Sequence, residues 1–247
     1  LFLINHGLNL VPNDKMFLHK LASCLHDAKR YAEAVDAYDR LLLVSFDDAT
    51  ALNNKAHALI QLESYELAIQ CCNQLLYTFW RFEYGYKNRG LANFHLGNYE
   101  RAYNDCQRAI EINPHLEEAY LIQMKIFHEI QRPEDVLSVG QSFRESHEAT
   151  DEHFYRLLAT VYHGQDEHKK VIQMAQKCIE INPLESFYYL RIADAHDALN
   201  DQHGSIYWLE KGRALMPDDT SILIDLSYYY IQTKQPELAM PVIEHAY

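Results

Sequence analysis

The sequence predicts an all-α fold, an α-solenoid of antiparallel helix pairs, and two observations predict it. A local pattern recurs every 34 residues, in Tyr31-Ala32-Glu33-Ala34, Tyr65-Glu66-Leu67-Ala68 and Tyr99-Glu100-Arg101-Ala102. A fixed period of that length marks an array of one small supersecondary unit. The prolines keep the same register independently: Pro12 stands 102 residues before Pro114, Pro183 follows after 69, and Pro217 after another 34. The first gap is three periods, and the second is two periods with one residue inserted in the fourth unit.

Taken in order, the period places a lone second helix at 1–14, then units at 15–48, 49–82, 83–116, 117–151, 152–185, 186–219 and 220–247. The first unit carries Leu18, Leu21, Ala22, Ala34 and Tyr38 at its packing positions. The third carries Tyr86, Gly90, Ala102, Ala109 and Pro114, with Leu96-Gly97-Asn98-Tyr99 as the turn between its helices, and the fifth carries Tyr155, Leu158, Ala159, Tyr162, Cys178 and Pro183. Gly90, Ala22, Ala56, Ala159 and Ala193 are small where the two helices of a unit approach most closely, and Ala34, Ala68, Ala102 and Ala239 do the same on the second helix. Tyr or Leu at 38, 86, 120, 155, 189 and 223 fills the space between units. Pro133 and Pro236 suit the first position of a second helix, where a missing N–H costs nothing. Phe46 and Trp80 stand where the other units end in proline, which predicts differently shaped turns there. The run Tyr77, Phe79, Trp80, Phe82, Tyr84 and Tyr86 is expected to pack inside the junction that it crosses, the alternative being an exposed anchoring patch.

Helix-turn-helix units of this length, with aromatic, Leu, Gly or Ala, Tyr, Ala and Pro at set slots, resemble the tetratricopeptide repeat. The resemblance covers the whole chain. Because each repeat covers its neighbour's apolar face, a chain that begins and ends inside a unit is expected to be a segment of a longer array. The resemblance implies a right-handed superhelix whose first helices line a concave groove, with a protein or peptide ligand lying in it.

Composition narrows the partners. With 48% hydrophobic residues and only eight Gly and seven Pro among 247, the chain can bury a substantial core. A formal charge of −13 repels phosphate backbones and anionic lipid, so neither nucleic acid nor membrane is an expected partner. No stretch reaches the roughly twenty apolar residues of a bilayer span. Cys24, Cys71, Cys72, Cys106 and Cys178 form an odd set without CxxC spacing, and four of them occupy second-helix slots that pack inward. Buried free thiols favour a reducing, cytoplasmic compartment.

Catalytic and cofactor motifs are missing. The chain has no Gly-rich phosphate loop, no GxSxG elbow and no HExxH helix, since His128-Glu129 lacks a second histidine. A non-catalytic interaction scaffold without cofactor or metal is therefore expected. The alternative is the substrate-recruiting or sensory region of a larger enzyme, such as a transferase whose catalytic part lies elsewhere. Exposed apolar faces at the two ends leave room for self-association.

The second, fifth, ninth, twelfth and thirteenth slots of the seven units give 35 positions, of which seven are histidine: His19, His26, His57, His95, His128, His153 and His163. The remaining 212 residues hold only seven more. Histidine is a polar aromatic that suits a half-exposed helix surface, but a groove so lined would also gain charge as pH falls toward about 6. His26 with His57 from adjacent units is the nearest approach to a metal pair, although the array supplies no dedicated ligand spacing. Asn54 and Asn88 occupy equivalent slots in consecutive units, and the resemblance implies amides there that hydrogen-bond a peptide backbone, each able to donate and accept. Lys87, Lys125 and Arg156 add positive charge that suits a carboxylate. The candidate groove residues are thus Asn54, His57, Lys87, Asn88, Lys125, His128 and Arg156. The family's clamp for chaperone C-terminal carboxylates is not expected, because the corresponding positions His19, Ser23, Asn54, Tyr84 and Asn88 keep only the central Asn.

Overall fold

The computed structural model describes residues 2–145 and 147–246; Leu1, Ser146 and Tyr247, which belong to three of the expected units, lie outside them. Among the described residues there are fifteen α-helices and no strand. They form two compact units, divided between Ile130 and Gln131. Unit 1 holds α1 (Phe2–Leu10), α2 (Lys15–Asp27), α3 (Tyr31–Val44), α4 (Ala49–Gln61), α5 (Tyr65–Thr78), α6 (Glu83–His95), α7 (Tyr99–Ile112) and α8 (Glu117–Glu129). Unit 2 holds α9 (Pro133–Arg144), α10 (Glu152–Gly164), α11 (His168–Ile181), α12 (Ser186–Ala198), α13 (Gln202–Leu215), α14 (Thr220–Gln232) and α15 (Pro236–Ala246). Pro133 and Pro236 begin α9 and α15, as expected of a residue that lacks an N–H to contribute.

Local sequence sets the helix ends. Asp14, Asp48, Asp151 and Asp219 cap α2, α4, α10 and α14, each side chain accepting a hydrogen bond from a backbone N–H of the first turn. The hairpins α2–α3, α4–α5, α6–α7, α10–α11, α12–α13 and α14–α15 reverse through one shared device. Lys29, Glu63, Gly97, Asp166, Asn200 and Lys234 take positive φ, between 56° and 73°. In each turn the next residue donates its N–H back to a carbonyl five positions earlier, as Arg30 does to Leu25 at 2.9 Å and Ser64 to Leu59 at 2.8 Å. This closure satisfies carbonyls that the helix end would otherwise leave bare.

The small slots pack as steric reasoning demands. Ala22, Ala34, Ala56, Ala68, Ala102 and Ala193 have no exposed surface, and Ala159 and Ala239 are buried. Tyr38, Tyr155, Tyr189 and Leu223 are buried between helices, whereas Tyr86 and Tyr120 are half-buried. Cys71, Cys72, Cys106 and Cys178 are buried free thiols and Cys24 is exposed. Burial pushes the Cys72 and Cys178 thiols up to about 12, so neither is a thiolate near neutrality.

Two expectations are corrected. The turns at Phe46 and Trp80 are not differently shaped: Asp48 donates to the Ser45 carbonyl at 3.2 Å and Phe82 to Phe79 at 3.0 Å, matching Leu116 to Asn113 at 3.1 Å in the proline-bearing turn. Proline stiffens this turn but is not needed to form it. The aromatic run does not pack as a whole. Phe79, Phe82 and Tyr86 are half-buried, but Tyr77 is 93% exposed, Trp80 57% and Tyr84 41%. Tyr77 lies on the solvent side of the last turn of α5, and Trp80 follows it three residues later in the turn itself.

Candidate functional site

In unit 1 the first helices α2, α4, α6 and α8 lie side by side. Six of the seven candidate residues fall on them; Arg156 is on α10 of unit 2, exposed.

Two histidines from neighbouring helices meet. His57 Nδ1 on α4 lies 3.0 Å from His26 Nε2 on α2, with 24° between the ring planes. Tyr31, the first residue of α3, presents its ring edge-on to both. At that separation one nitrogen carries a proton and the other accepts it, so a second proton would set N–H against N–H. Burial first, then the charges of His26 and Lys87, push His57 from 6.5 down to about 4, and burial likewise lowers His26. One pair later Tyr65 meets a single histidine in a different geometry, its ring parallel to His95 at 4.8 Å between centroids.

The sign of the pH effect follows. His57 binds its proton more readily in the unfolded chain than in the folded one, so stability is complete above about pH 6.5 and is lost as pH falls toward 4. The loss is expected to be on the order of 1–2 kcal/mol, discounted because the pair stands at a half-exposed surface. Urea unfolding of the native chain at pH 7 and pH 4.5, compared with His57→Gln, tests it; an identical pH dependence in the variant would show that the pair does not titrate this way.

Lys87 of α6 is half-buried, its Nζ 5.8 Å from the Tyr84 ring centroid, and among the described residues it makes no ion pair. Desolvation lowers its pKa, against the opposing charge of Glu118 on α8. Lys125 of α8 is half-buried and His128 exposed in the last turn of the same helix. The Lys125 charge, after burial, helps to hold His95 below the usual imidazole range.

The asparagines behave differently from expectation. Asn88 is 1% exposed, so it belongs to the α4–α6 interface and not to the groove surface. Its Nδ2 donates to Asn53 Oδ1 at 3.0 Å, and Asn53 Nδ2 donates to Asn54 Oδ1 at 3.2 Å. The Asn88 Nδ2 therefore ties two helices together, its Oδ1 is buried without a hydrogen-bond partner, and half-buried Asn54 is the asparagine placed to meet a ligand. Asn53, the bridge of this ladder, escaped the sequence reading although it stands at a fifth slot, among the positions already marked as groove-facing.

With this geometry described, comparison with known proteins places the fold. Residues 49–78 and 84–116 each match the tetratricopeptide repeat model. Those two stretches are tetratricopeptide repeats. Its fold is similar to the C-terminal part of a repeat-containing protein from Cytophaga hutchinsonii, with TM-score 0.71 and 18% identity over 92% of this chain and 93% of that one. It is also similar to a thermophilic tetratricopeptide repeat protein of Thermus thermophilus, with TM-score 0.60 and 18% identity over 73% and 98%. A third similar structure is YrrB, described as a tetratricopeptide repeat protein with an unusual peptide-binding site, at TM-score 0.56 and 14% identity over 77% and 98%. None of the curated proteins compared matches the sequence. Among the described residues of this repeat protein, no helix is long and apolar enough to cross a membrane.

Proposed function

We propose that this tetratricopeptide repeat protein is a non-catalytic interaction scaffold, and that the first-helix face of unit 1 holds an extended peptide bearing carboxylates. Lys87 carries the reading. A half-buried ammonium without an ion-pair partner has lost part of its hydration, and the charge of Glu118 on α8 offsets that loss only in part, since the Lys87 pKa is still lowered. A ligand carboxylate at that point supplies the partner. Lys125 on the adjacent helix extends the positive track, Asn54 offers an amide to a peptide backbone, and His57 and His26 add neutral polar surface above about pH 6.5. YrrB, of the same fold, is described by its peptide-binding site, which is the precedent for a solenoid of this kind taking a peptide.

The test is fluorescence anisotropy with a short labelled peptide that alternates Glu with Leu, titrated against the native chain and against Lys87→Met. The variant is expected to bind about tenfold more weakly, the equivalent of about 1.4 kcal/mol, and the native affinity is expected to fall with added salt. Equal affinity in the two proteins would sink the assignment of Lys87, and loss of binding in Asn54→Ala alone would move the site toward α4.

A further inference from the structure

The first-helix slots change character in unit 2. On α14, Ile224, Tyr228 and Ile231 are 60%, 52% and 54% exposed. Their spacing of four and then three residues sets them along one helical face, which gives an open apolar stripe, a feature that marks interaction sites. Beside it lie three carboxylates. Asp225 follows Ile224 on α14, and Asp194 and Asp197 stand on α12, which packs alongside α14. Asp194 is exposed and the other two are half-buried.

These acids act on one another and on a shared neighbour. Burial raises the Asp194 and Asp225 carboxyls, and the Asp194 charge raises Asp225 further. The buried Tyr229 hydroxyl is pushed up to about 12, first by burial and then by Asp197 and Asp194, with Asp225 adding to the effect. The nearby countercharges are Arg191, whose guanidinium lies 5.0 Å from the Phe187 ring centroid, and His163. None of the three aspartates makes an ion pair among the described residues. An apolar stripe bordered by three carboxylates that make no ion pair and outnumber these countercharges is complementary to one kind of ligand.

We propose that the α12–α14 face of unit 2 docks a basic, apolar-anchored segment of a partner protein, with Lys or Arg side chains against Asp194, Asp197 and Asp225 and aliphatic side chains on Ile224, Tyr228 and Ile231. A second copy of this chain fits the same face poorly, because at −13 two copies repel. The proposal rests on the reading of first helices as the docking surface, but it uses residues of unit 2 and the opposite ligand charge. Its failure is therefore distinguishable from failure of the Lys87 site.

The experiment is fluorescence anisotropy of the full chain with a labelled peptide alternating Lys with Leu, and with the same peptide carrying Glu for Lys. The basic peptide is expected to bind, and Asp194→Asn with Asp225→Asn to weaken it at least tenfold. Ile224→Ser with Tyr228→Ser, which leaves net charge unchanged, is also expected to weaken it about tenfold while circular dichroism stays native. Glu237→Gln with Glu244→Gln, exposed on α15, removes the same charge elsewhere and is expected to change affinity less than twofold. Equal weakening by the α15 pair, equal binding of the acidic peptide, or indifference to the Ile224/Tyr228 change would each overturn the proposal in favour of diffuse attraction. Dimerisation in sedimentation that the Ile224/Tyr228 change abolishes would overturn it in favour of a second copy.

Discussion

Asp105→Ala is expected to destabilise unit 1 by about 3 kcal/mol, the lower end of the cost of breaking a buried ion pair. Asp105, on α7, is 7% exposed. Its carboxylate accepts from Arg89 Nε at 3.0 and 3.2 Å and from Arg89 Nη2 at 2.6 Å, and Asn93 Nδ2 approaches at 3.4 Å. The remaining guanidinium edge donates to Asn73 on α5 at 2.7 Å. One carboxylate therefore holds together three helices through Arg89. Removing it strands a cation whose charge cannot be given up, because a guanidinium stays protonated without any partner. The cost stays near the lower end because Arg89 borders a cleft of about 570 Å³ with Asn73, Asn104 and Arg101, and water can reach its outer edge. Urea unfolding gives the magnitude, and amide exchange across α5, α6 and α7 localises it. A loss under about 1 kcal/mol would mean that solvent in the cleft replaces the carboxylate and that the network is a surface feature.

The fold was legible because its determinants are steric and periodic. A slot that must be small every 34 residues leaves its mark in composition, and Ala22, Ala56, Ala102 and Ala193 could be placed without coordinates. The hairpin turns left almost no such mark. Gly97, and more weakly Asn200, advertise the left-handed conformation that Lys29, Glu63, Asp166 and Lys234 share with them. Those residues tolerate it because the hydrogen bonds that close each turn outweigh roughly 1 kcal/mol of local strain.

The site was less legible than the fold. Slot arithmetic brought His26 and His57 onto one face, and they meet at 3.0 Å. It failed for Asn88, because a sixth slot, about 100° of helix rotation from the fifth, stands at the boundary of interface and groove, covered at Asn88 and half-buried at Asn54. Asn53 and Asn88 then pair across that boundary. The aromatic run misled for a related reason: hydrophobicity reports what a side chain prefers, not which side of a turn it occupies, and Tyr77 and Trp80 sit on the outer one.

Gly90→Val is expected to cost about 3 kcal/mol and to be partly rescued by Cys106→Ala. Gly90 lies on α6 where α7 crosses closest. A Cβ there would stand 2.9 Å from Cys106 Sγ, 3.2 Å from the Ala102 carbonyl oxygen and 3.4 Å from Asp105 Cβ. The sulfur belongs to a fully buried residue, and the carbonyl is backbone. Alanine would regain about 1 kcal/mol of helix propensity, which roughly offsets a shift of a few tenths of an ångström. The same slot is alanine in the pairs of Ala22, Ala56, Ala159 and Ala193. Valine adds two methyl groups that no such shift accommodates, and overpacking of this kind costs about 1–3 kcal/mol before the poorer helix fit of a β-branched residue is added. Cys106→Ala vacates the nearest atom, so a double-mutant cycle should show favourable coupling of about 1 kcal/mol. Zero coupling, with the full loss retained, would assign the clash to the Ala102 carbonyl. The approach of the two helices, and with it the position of Lys87 one turn away, would then be fixed by backbone contact instead of by the thiol.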